Sequence, residues 1–98
     1  MLLENSKWEG QICALKLITG EEIVAKITSE TADHYNVEKA CNVVPGQQGV
    51  GLIQALFTAD PHTSASIQKN HVVMIAECID QIKTHYIKTT TGLEIVRP

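Results

Sequence analysis

The 98-residue chain has few aromatic and few basic residues. Only 4% of its residues are Phe, Trp or Tyr, so a core must be built mainly from Ile, Val and Leu, which favours strands over a helical bundle. Eight Lys and Arg against eleven Asp and Glu give a net charge of −3. This balance excludes a protein that grips nucleic acid mainly by neutralising phosphates, so any RNA site must be local.

Cysteine pairs and long apolar runs are also missing. Cys13, Cys41 and Cys78 are far apart, form no C-x-x-C pair and lie among apolar neighbours. They predict buried free thiols in a reducing compartment, without a disulfide or zinc site. No apolar run approaches the length that crosses a bilayer, and residues 1–6 lack the pattern of a secretion signal. We therefore expect a soluble, cytoplasmic protein that uses no membrane, metal, cofactor or small-molecule substrate.

Alternating apolar residues predict two strands at the start of the chain. If residues 11–18 are extended, the side chains of Cys13, Leu15 and Leu17 fall on one face. Thr19-Gly20-Glu21 supplies a tight turn, because glycine takes positive φ without a steric penalty. Residues 22–28 alternate most clearly, with Ile23 and Ile27 on the same face.

The middle of the chain predicts a third strand and a loop. The strand runs from Tyr35 to Val44-Pro45, with room for a bulge near Lys39-Ala40. Residues 46–51 contain three glycines, but their spacing matches neither of the glycine-rich phosphate loops. A hairpin loop is the favoured interpretation, and nucleotide binding is the alternative.

An apolar segment, residues 72–76, predicts a strand that needs a partner. Before it lie an apolar run over residues 52–58, which either extends the fourth strand or forms a separate ribbon, an extended stretch at residues 66–68, and a sharp turn at Lys69-Asn70-His71. Apolar and polar residues do not alternate within residues 72–76, so both faces of this strand, or one face and one edge, should be covered. An exposed apolar edge aggregates unless another chain pairs with it, which favours an oligomer over a plain buried strand. The candidate interface residues are Ile67, Val72, Val73, Met74 and Ile75.

The period changes to that of a helix after the last strand. Apolar residues from Ile79 onward recur at i, i+3, i+7 and i+8, which predicts an amphipathic helix that Asp80 caps. The β-branched run Thr89-Thr90-Thr91 has poor helix propensity. We therefore expect the helix to end near Lys88, with a short terminal strand at residues 93–96.

No internal repeat or domain boundary is visible, so residues 1–98 are expected to form one mainly β domain. Residues 1–10 predict a loose arm, or a short turn of helix, that packs Trp8 onto the sheet. Residues 11–76 predict five strands, which we expect to form one antiparallel sheet. A C-terminal helix over residues 79–88 and a short tail over residues 89–98 complete the domain.

The histidines do not form a catalytic or metal-binding pattern. His34, His62, His71 and His85 have no metal-ligand spacing with one another or with a cysteine. Asp33-His34 and the Asp60-His62 pair lack an accompanying nucleophile motif. We therefore predict that the protein is not an enzyme and has no catalytic residues.

Two segments resemble the motifs of the Sm-like (LSm/Hfq-type) family. Thr19-Gly20-Glu21-Glu22-Ile23 is similar to the Asn-Gly-x-Glu-Val opening of the first motif, which Asn36-Val37 closes. Residues 67–75, Ile-Gln-Lys-Asn-His-Val-Val-Met-Ile, are similar to the second motif, Ile-Arg-Gly-x-x-Val-x-x-Ile, and Lys69 matches the Tyr-Lys-His turn of the Hfq branch. Small Sm-like proteins of marine T-even-type bacteriophages look most similar, since they share this opening and a helix after the last strand.

The resemblance implies that the five-stranded antiparallel sheet is strongly bent and forms a small open barrel of the SH3 type. Identical subunits would then assemble into a closed ring of about five to seven, through pairing of their strand edges. It also implies single-stranded RNA at the central pore, in the host cytoplasm if the protein is phage-encoded. His34 would stack on a base, Asn36 would bond its edge, and Lys69 with Asn70 would flank it. The candidate RNA-binding residues are His34, Tyr35, Asn36, Gln68, Lys69 and Asn70.

A second hypothesis is a structural or scaffolding ring that does not bind RNA, such as a phage assembly or host-interaction component. Gln68 and Lys69 stand where the family has Arg and Gly, so the base-stacking Arg is absent. Residues 34–36 can equally form a solvated turn in which Tyr35 caps the core. Lys69-Asn70 can likewise be a plain interstrand turn.

Overall fold

Residues 6–46, 49–60 and 62–95 are described by a computed structural model. Within them, six strands form one open antiparallel sheet, and a single helix follows. The mainly β fold with a C-terminal helix is thus confirmed. The elements are β1 (Ile12–Leu17), β2 (Glu22–Glu30), β3 (His34–Gly46), β4 (Gly49–Gln54), β5 (Ser64–Gln68), β6 (Val72–Glu77) and α1 (Asp80–Ile95).

The long strand β3 organises the sheet. The strand order is β4-β3-β2-β1-β6, and β5 also pairs with β3. Residues 34–38 of β3 pair with β5, and residues 41–46 pair with β4. The apolar run that begins at residue 52 and the extended stretch that begins at residue 66 therefore belong to separate strands, β4 and β5, which corrects the expected number of strands from five to six. The break between them is stabilised by Gln54, whose side chain donates to the carbonyls of Leu56 (2.7 Å) and Ala59 (3.1 Å).

A bulge in the middle of β3 divides these two pairings. The residues on either side of Lys39 and Ala40 pair with β2, so these two residues together oppose Ala25. Lys39 has φ 55°, which is uncommon for a residue with a side chain. The bulge predicted near Lys39-Ala40 is confirmed. Such bulges bend a strand and increase its twist, so β3 can follow two directions along the sheet.

One core lies on the inner face of the bent sheet. Leu15 and Ile27 are fully buried there, and burying an aliphatic side chain of this size contributes about 1.5–3 kcal/mol. The inward positions predicted for the first two strands are confirmed, and Trp8 packs against this core as expected. The buried members are Cys13, Leu15, Ile23, Ala25, Ile27, Tyr35 and Val37.

A second core lies between the outer face of the sheet and α1. Tyr86 and Ile82 of the helix pack there against Val24, Cys41 and Leu52. Cys13, Cys41 and Cys78 are all buried and free, as predicted. Burial raises the pKa of the Cys13 thiol to about 11, so it stays protonated and unreactive near neutral pH.

The helix differs from its prediction in length. It continues to Ile95, so the predicted end near Lys88 and a terminal strand at residues 93–95 are wrong; Val96 lies outside the described residues. The reason lies in Thr90, which is 4% exposed. Its hydroxyl donates to the carbonyl of Tyr86, one turn earlier, at 2.9 Å. Because this bond satisfies the buried side chain within the helix, the threonine run does not end it.

The predicted apolar face of α1 is only half covered. Ile82 and Tyr86 pack on the sheet, whereas Ile79 is 66% exposed and Ile87 is 52% exposed. The backbone N–H of Lys83 donates to the carbonyl of Ile79, so Ile79 holds the cap position. Asp80 therefore lies in the first turn and does not cap the helix as predicted.

The N-terminal segment is attached to the end of β2. Gly10 donates its N–H to the Ile27 carbonyl at 2.7 Å, and Ile27 donates to the Gln11 carbonyl at 2.9 Å. These bonds place Ser6 beside Glu30, where its hydroxyl donates to the carboxylate. Of the predicted arm, residues 1–5 lie outside the described residues.

Candidate functional site at two adjoining turns

Two turns that are far apart in sequence meet at one end of the sheet. The first joins β2 to β3 over residues 31–33, and the second is a 3-10 turn over Lys69–His71. The backbone N–H of Lys69 donates to the Asp33 carbonyl at 2.8 Å. Both turns line one open recess, so four predicted RNA-binding residues lie together. The lining residues are Ala32, Asp33, His34, Gln68, Lys69 and Asn70.

Thr31 shapes the first turn. Its hydroxyl accepts hydrogen bonds from the backbone N–H groups of Asp33 (3.2 Å) and His34 (3.0 Å). The backbone N–H of Thr31 also donates to the His34 carbonyl at 2.9 Å. A threonine hydroxyl that bonds the backbone two or three residues later is a common turn device. These bonds therefore fix the backbone at the start of β3, where His34 lies.

His34, Gln68 and Asn70 provide the recess with groups that could recognise a base. His34 is half-buried and lies opposite Gln68 across the β3–β5 ladder, and Asn70 is exposed. An imidazole ring can stack on a base, and an amide both donates and accepts hydrogen bonds. Together with Lys69, these three side chains are the part of the predicted RNA site that lies in one recess.

Lys69 is held in an ion pair. Its ammonium nitrogen lies 2.6 Å from Oε2 of Glu30 and 5.0 Å from the centroid of the Tyr35 ring. Ion pairing and contact with the ring face both stabilise the cation where it is. While Lys69 is paired, the carboxylate of Glu30 neutralises its charge, so it attracts a phosphate less than an unpaired lysine would.

Glu30 is a site residue that the sequence did not predict. It is 8% exposed, and its other oxygen accepts a hydrogen bond from the Ser6 hydroxyl. Burial by itself would raise the pKa of Glu30, but the hydrogen bonds from Lys69 and Ser6 outweigh it and hold that pKa below its ordinary value. Glu30 is therefore charged at neutral pH and paired with Lys69.

A register shift explains why Glu30 was missed. Ile27 pairs with Val37, but Ser29 pairs with Asn36, so the β2 register shifts by one residue between them. Such a shift reverses which residues of a strand point to the core. Simple alternation from Ile27 therefore assigns Glu30 to the wrong face. The only local signal in the sequence is an acidic residue within a polar stretch at the end of the strand.

Tyr35, one of the predicted RNA-binding residues, has almost no exposed surface on which a base could stack. The residue is 8% exposed and belongs to the inner core, and Lys69 lies over its ring. Burial, reinforced by the charge of Glu30, raises the pKa of the Tyr35 hydroxyl although Lys69 opposes this. Tyr35 caps the core, the other interpretation that its position allowed.

Asn36 lies outside the recess, where its side chain joins three strands. Its amide nitrogen donates to the Ser29 hydroxyl on β2 at 2.9 Å. Its amide oxygen accepts from the Ser66 hydroxyl on β5 at 2.8 Å. Both ends of the amide are therefore engaged in hydrogen bonds within the sheet, away from the recess.

The predicted interface residues divide into two groups. Val73 is 59% exposed and Met74 is 70% exposed. Ile67, Val72 and Ile75 are half-buried and pack against the inner core instead. One edge of β6 pairs with β1, and no described strand pairs with its other edge.

Comparisons with known proteins do not assign the chain to a family. It matches no protein-family model and no curated protein. Within residues 6–46, 49–60 and 62–95, no helix is both long and apolar enough to cross a membrane. The same residues contain no cluster of His, Cys, Asp and Glu that could hold a metal ion.

Proposed function

We propose that the chain is the subunit of an Sm-like homo-oligomeric ring that holds single-stranded RNA at the recess, in the cytoplasm and without catalysis. The observation that supports this most directly is the hydrogen bond between Lys69 and Asp33. It joins the turns that carry the two motif-like segments, so His34, Gln68 and Asn70 line one recess. Three buried, free thiols suit a reducing compartment.

The edges of the sheet support assembly into a ring. β4 and β6 are the two ends of the strand order, and an end strand carries backbone groups that another chain can pair with. Val50 and Ile53 on β4 are 43% and 44% exposed, and Val73 and Met74 on β6 are more exposed still. Head-to-tail pairing of β4, or β5 beside it, with β6 of a neighbour covers both edges and closes a ring of about five to seven subunits.

The recess would recognise bases more than phosphates. Lys69 is paired with Glu30, and Asp33 adds a carboxylate to the lining. Stacking by His34 and amide bonds from Gln68 and Asn70 therefore provide the affinity, at about 1–3 kcal/mol for each stacked base. A single recess binds weakly on this account. Several recesses around a ring bind one strand more tightly, because later contacts form within the same complex.

A scaffolding ring without RNA is the second candidate function, for example in phage assembly or contact with a host protein. It is favoured by the internal contacts of three predicted RNA-binding residues. Lys69 is paired with Glu30, Asn36 is bonded to two serines, and the Tyr35 ring is buried. In this case the turns would stabilise the sheet and do nothing more.

Light scattering behind a sizing column, followed by an RNA titration, tests the proposal. If the chain forms the proposed ring, light scattering should give a single species with a mass of about five to seven subunits at micromolar concentration. Fluorescence anisotropy with short U, A and mixed oligonucleotides should then show saturable binding that His34→Ala weakens. His62→Ala is the matched control, because it removes an exposed imidazole outside the recess. A ring that binds no oligonucleotide supports the scaffold, and a stable monomer contradicts both candidates.

A further inference from the structure

We propose that Glu30 determines how the recess reads RNA, by holding Lys69 away from the phosphate backbone; this inference rests on the proposed function. Among the described residues that line the recess, Lys69 is the only Lys or Arg. While Glu30 binds its ammonium, the described lining of the recess offers no unpaired Lys or Arg to a phosphate. Recognition is then limited to the bases, and the strand's charge contributes little to affinity.

The surroundings of Glu30 stabilise its ion pair with Lys69. It is 8% exposed, and both carboxylate oxygens are used, one by Lys69 and the other by Ser6. A buried carboxylate that loses its counter-charge is strongly destabilised. Transfer of Lys69 to a phosphate would therefore leave Glu30 buried, charged and held only by a serine hydroxyl. The pair resists release more than an exposed surface ion pair does.

The ion pair also couples the recess to the N-terminal segment. Ser6 lies in that segment, and its hydroxyl fixes the carboxylate that holds Lys69. The three groups form one chain of hydrogen bonds from the segment to the wall of the recess. The charge available to a ligand is thus set by residues that do not line the recess.

The test compares the salt dependence of RNA binding among matched variants. Glu30→Gln removes the carboxylate charge that neutralises Lys69, whereas Glu30→Gln with Lys69→Met removes both charges. Glu77→Gln is the control, because Glu77 forms the equivalent pair with Lys83 at the other end of β6. Glu77→Gln changes the net charge by the same amount as Glu30→Gln. Anisotropy titrations from about 50 to 200 mM salt give the slope of log affinity against log salt, and light scattering verifies that each variant keeps its mass.

Glu30→Gln should bind more tightly at low salt and steepen the slope by about 0.7 for each subunit that gains a phosphate contact. Between about 50 and 200 mM salt its advantage over the wild type then falls about 2.6-fold per such subunit. The double variant and Glu77→Gln should both have the wild-type slope. These results support the assignment of Glu30.

Two results overturn the inference while leaving the proposed function intact. One is wild-type binding with a slope that Glu30→Gln does not change. The other is a slope that is shallower in the double variant than in the wild type, since Lys69 of the wild type would then already contact phosphate; this arm decides the question even where Glu30→Gln does not fold. Binding by Glu30→Gln alone overturns RNA binding by the wild type, and with it the inference that rests on that function. Failure of every variant to bind at about 50 mM salt overturns both proposals.

Discussion

The hydroxyl of Tyr86 on α1 donates a hydrogen bond to the Glu38 carbonyl on β3, at 3.0 Å. Glu38 is the last regularly paired residue before the bulge at Lys39-Ala40. The same hydroxyl accepts from the backbone N–H of Lys26 on β2, at 3.3 Å. One side chain of the helix therefore satisfies two backbone groups where the ladder between β2 and β3 is interrupted. The helix and the bend of the sheet depend on each other through this contact.

Replacing Tyr86 with Phe should lower the free energy of unfolding by about 1–3 kcal/mol, because a carbonyl and an N–H then lose a buried partner. Urea denaturation followed by circular dichroism measures this change. Lys88→Ala, at an exposed position of the same helix, should change stability by no more than about 0.5 kcal/mol. Equal stabilities for Tyr86→Phe and the wild type would mean that the hydroxyl does not support the bulge.

Asn36 and Asn70 should respond in opposite ways to the same substitution. Asn36→Ala loses two side-chain hydrogen bonds, to Ser29 and Ser66, and should cost about 1 kcal/mol of stability while the recess keeps its affinity for RNA. Asn70→Ala, in the exposed turn, should leave stability unchanged and weaken RNA binding. Denaturation and anisotropy on both variants test this pair. Loss of RNA affinity in a folded Asn36→Ala protein would instead favour the role implied by the Sm-like resemblance.

The pKa of Glu30 makes part of the stability depend on pH. Its pKa is lowered in the folded protein from 4.5, so folding favours the charged form. Its contribution is fully present above the unfolded pKa, near 4.5, and is lost as the pH falls through the lowered folded value. The stability difference between the wild type and Glu30→Gln should therefore shrink as the pH drops from about 6 towards 3. A difference that is constant over this range would show that the carboxylate charge contributes nothing.

The strands that were predicted correctly are those in which local sequence decides the structure. Ile23 and Ile27 alternate with polar residues, and both are buried in the inner core. The turn at Gly20, with φ 99°, needed only the conformational freedom of glycine. Leu56 and Phe57 continue an apolar run, yet they are 52% and 78% exposed. Hydrogen bonds from Gln54 direct the chain away there, and the apolar pattern does not contain that information.

Only part of the candidate site could be predicted, again because local sequence does not decide the whole structure. Sequence reasoning identified His34, Gln68, Lys69 and Asn70, which come together in one recess. It also assigned Tyr35 and Asn36 to RNA, although one is buried and the other is bonded to β2 and β5. Motif position gives a residue's place on a strand, but burial and side-chain partners depend on the register. The shift after Ile27 is what brings Glu30 to Lys69, and it has no marker in the sequence.

The exposed edge of β6 leads to a prediction about assembly. Val73→Lys places a charge on a strand edge, which is how natural proteins prevent edge pairing, so the ring should dissociate to smaller species. The fold should survive, because Val73 is already 59% exposed. Ile18→Lys is the matched control, since Ile18 is 64% exposed but follows the end of β1. Light scattering should give a lower mass for Val73→Lys and the wild-type mass for Ile18→Lys, with similar circular dichroism for all three proteins. An unchanged mass for Val73→Lys would place the contact between subunits elsewhere, and loss of mass in both variants would indicate a general effect of the added charge.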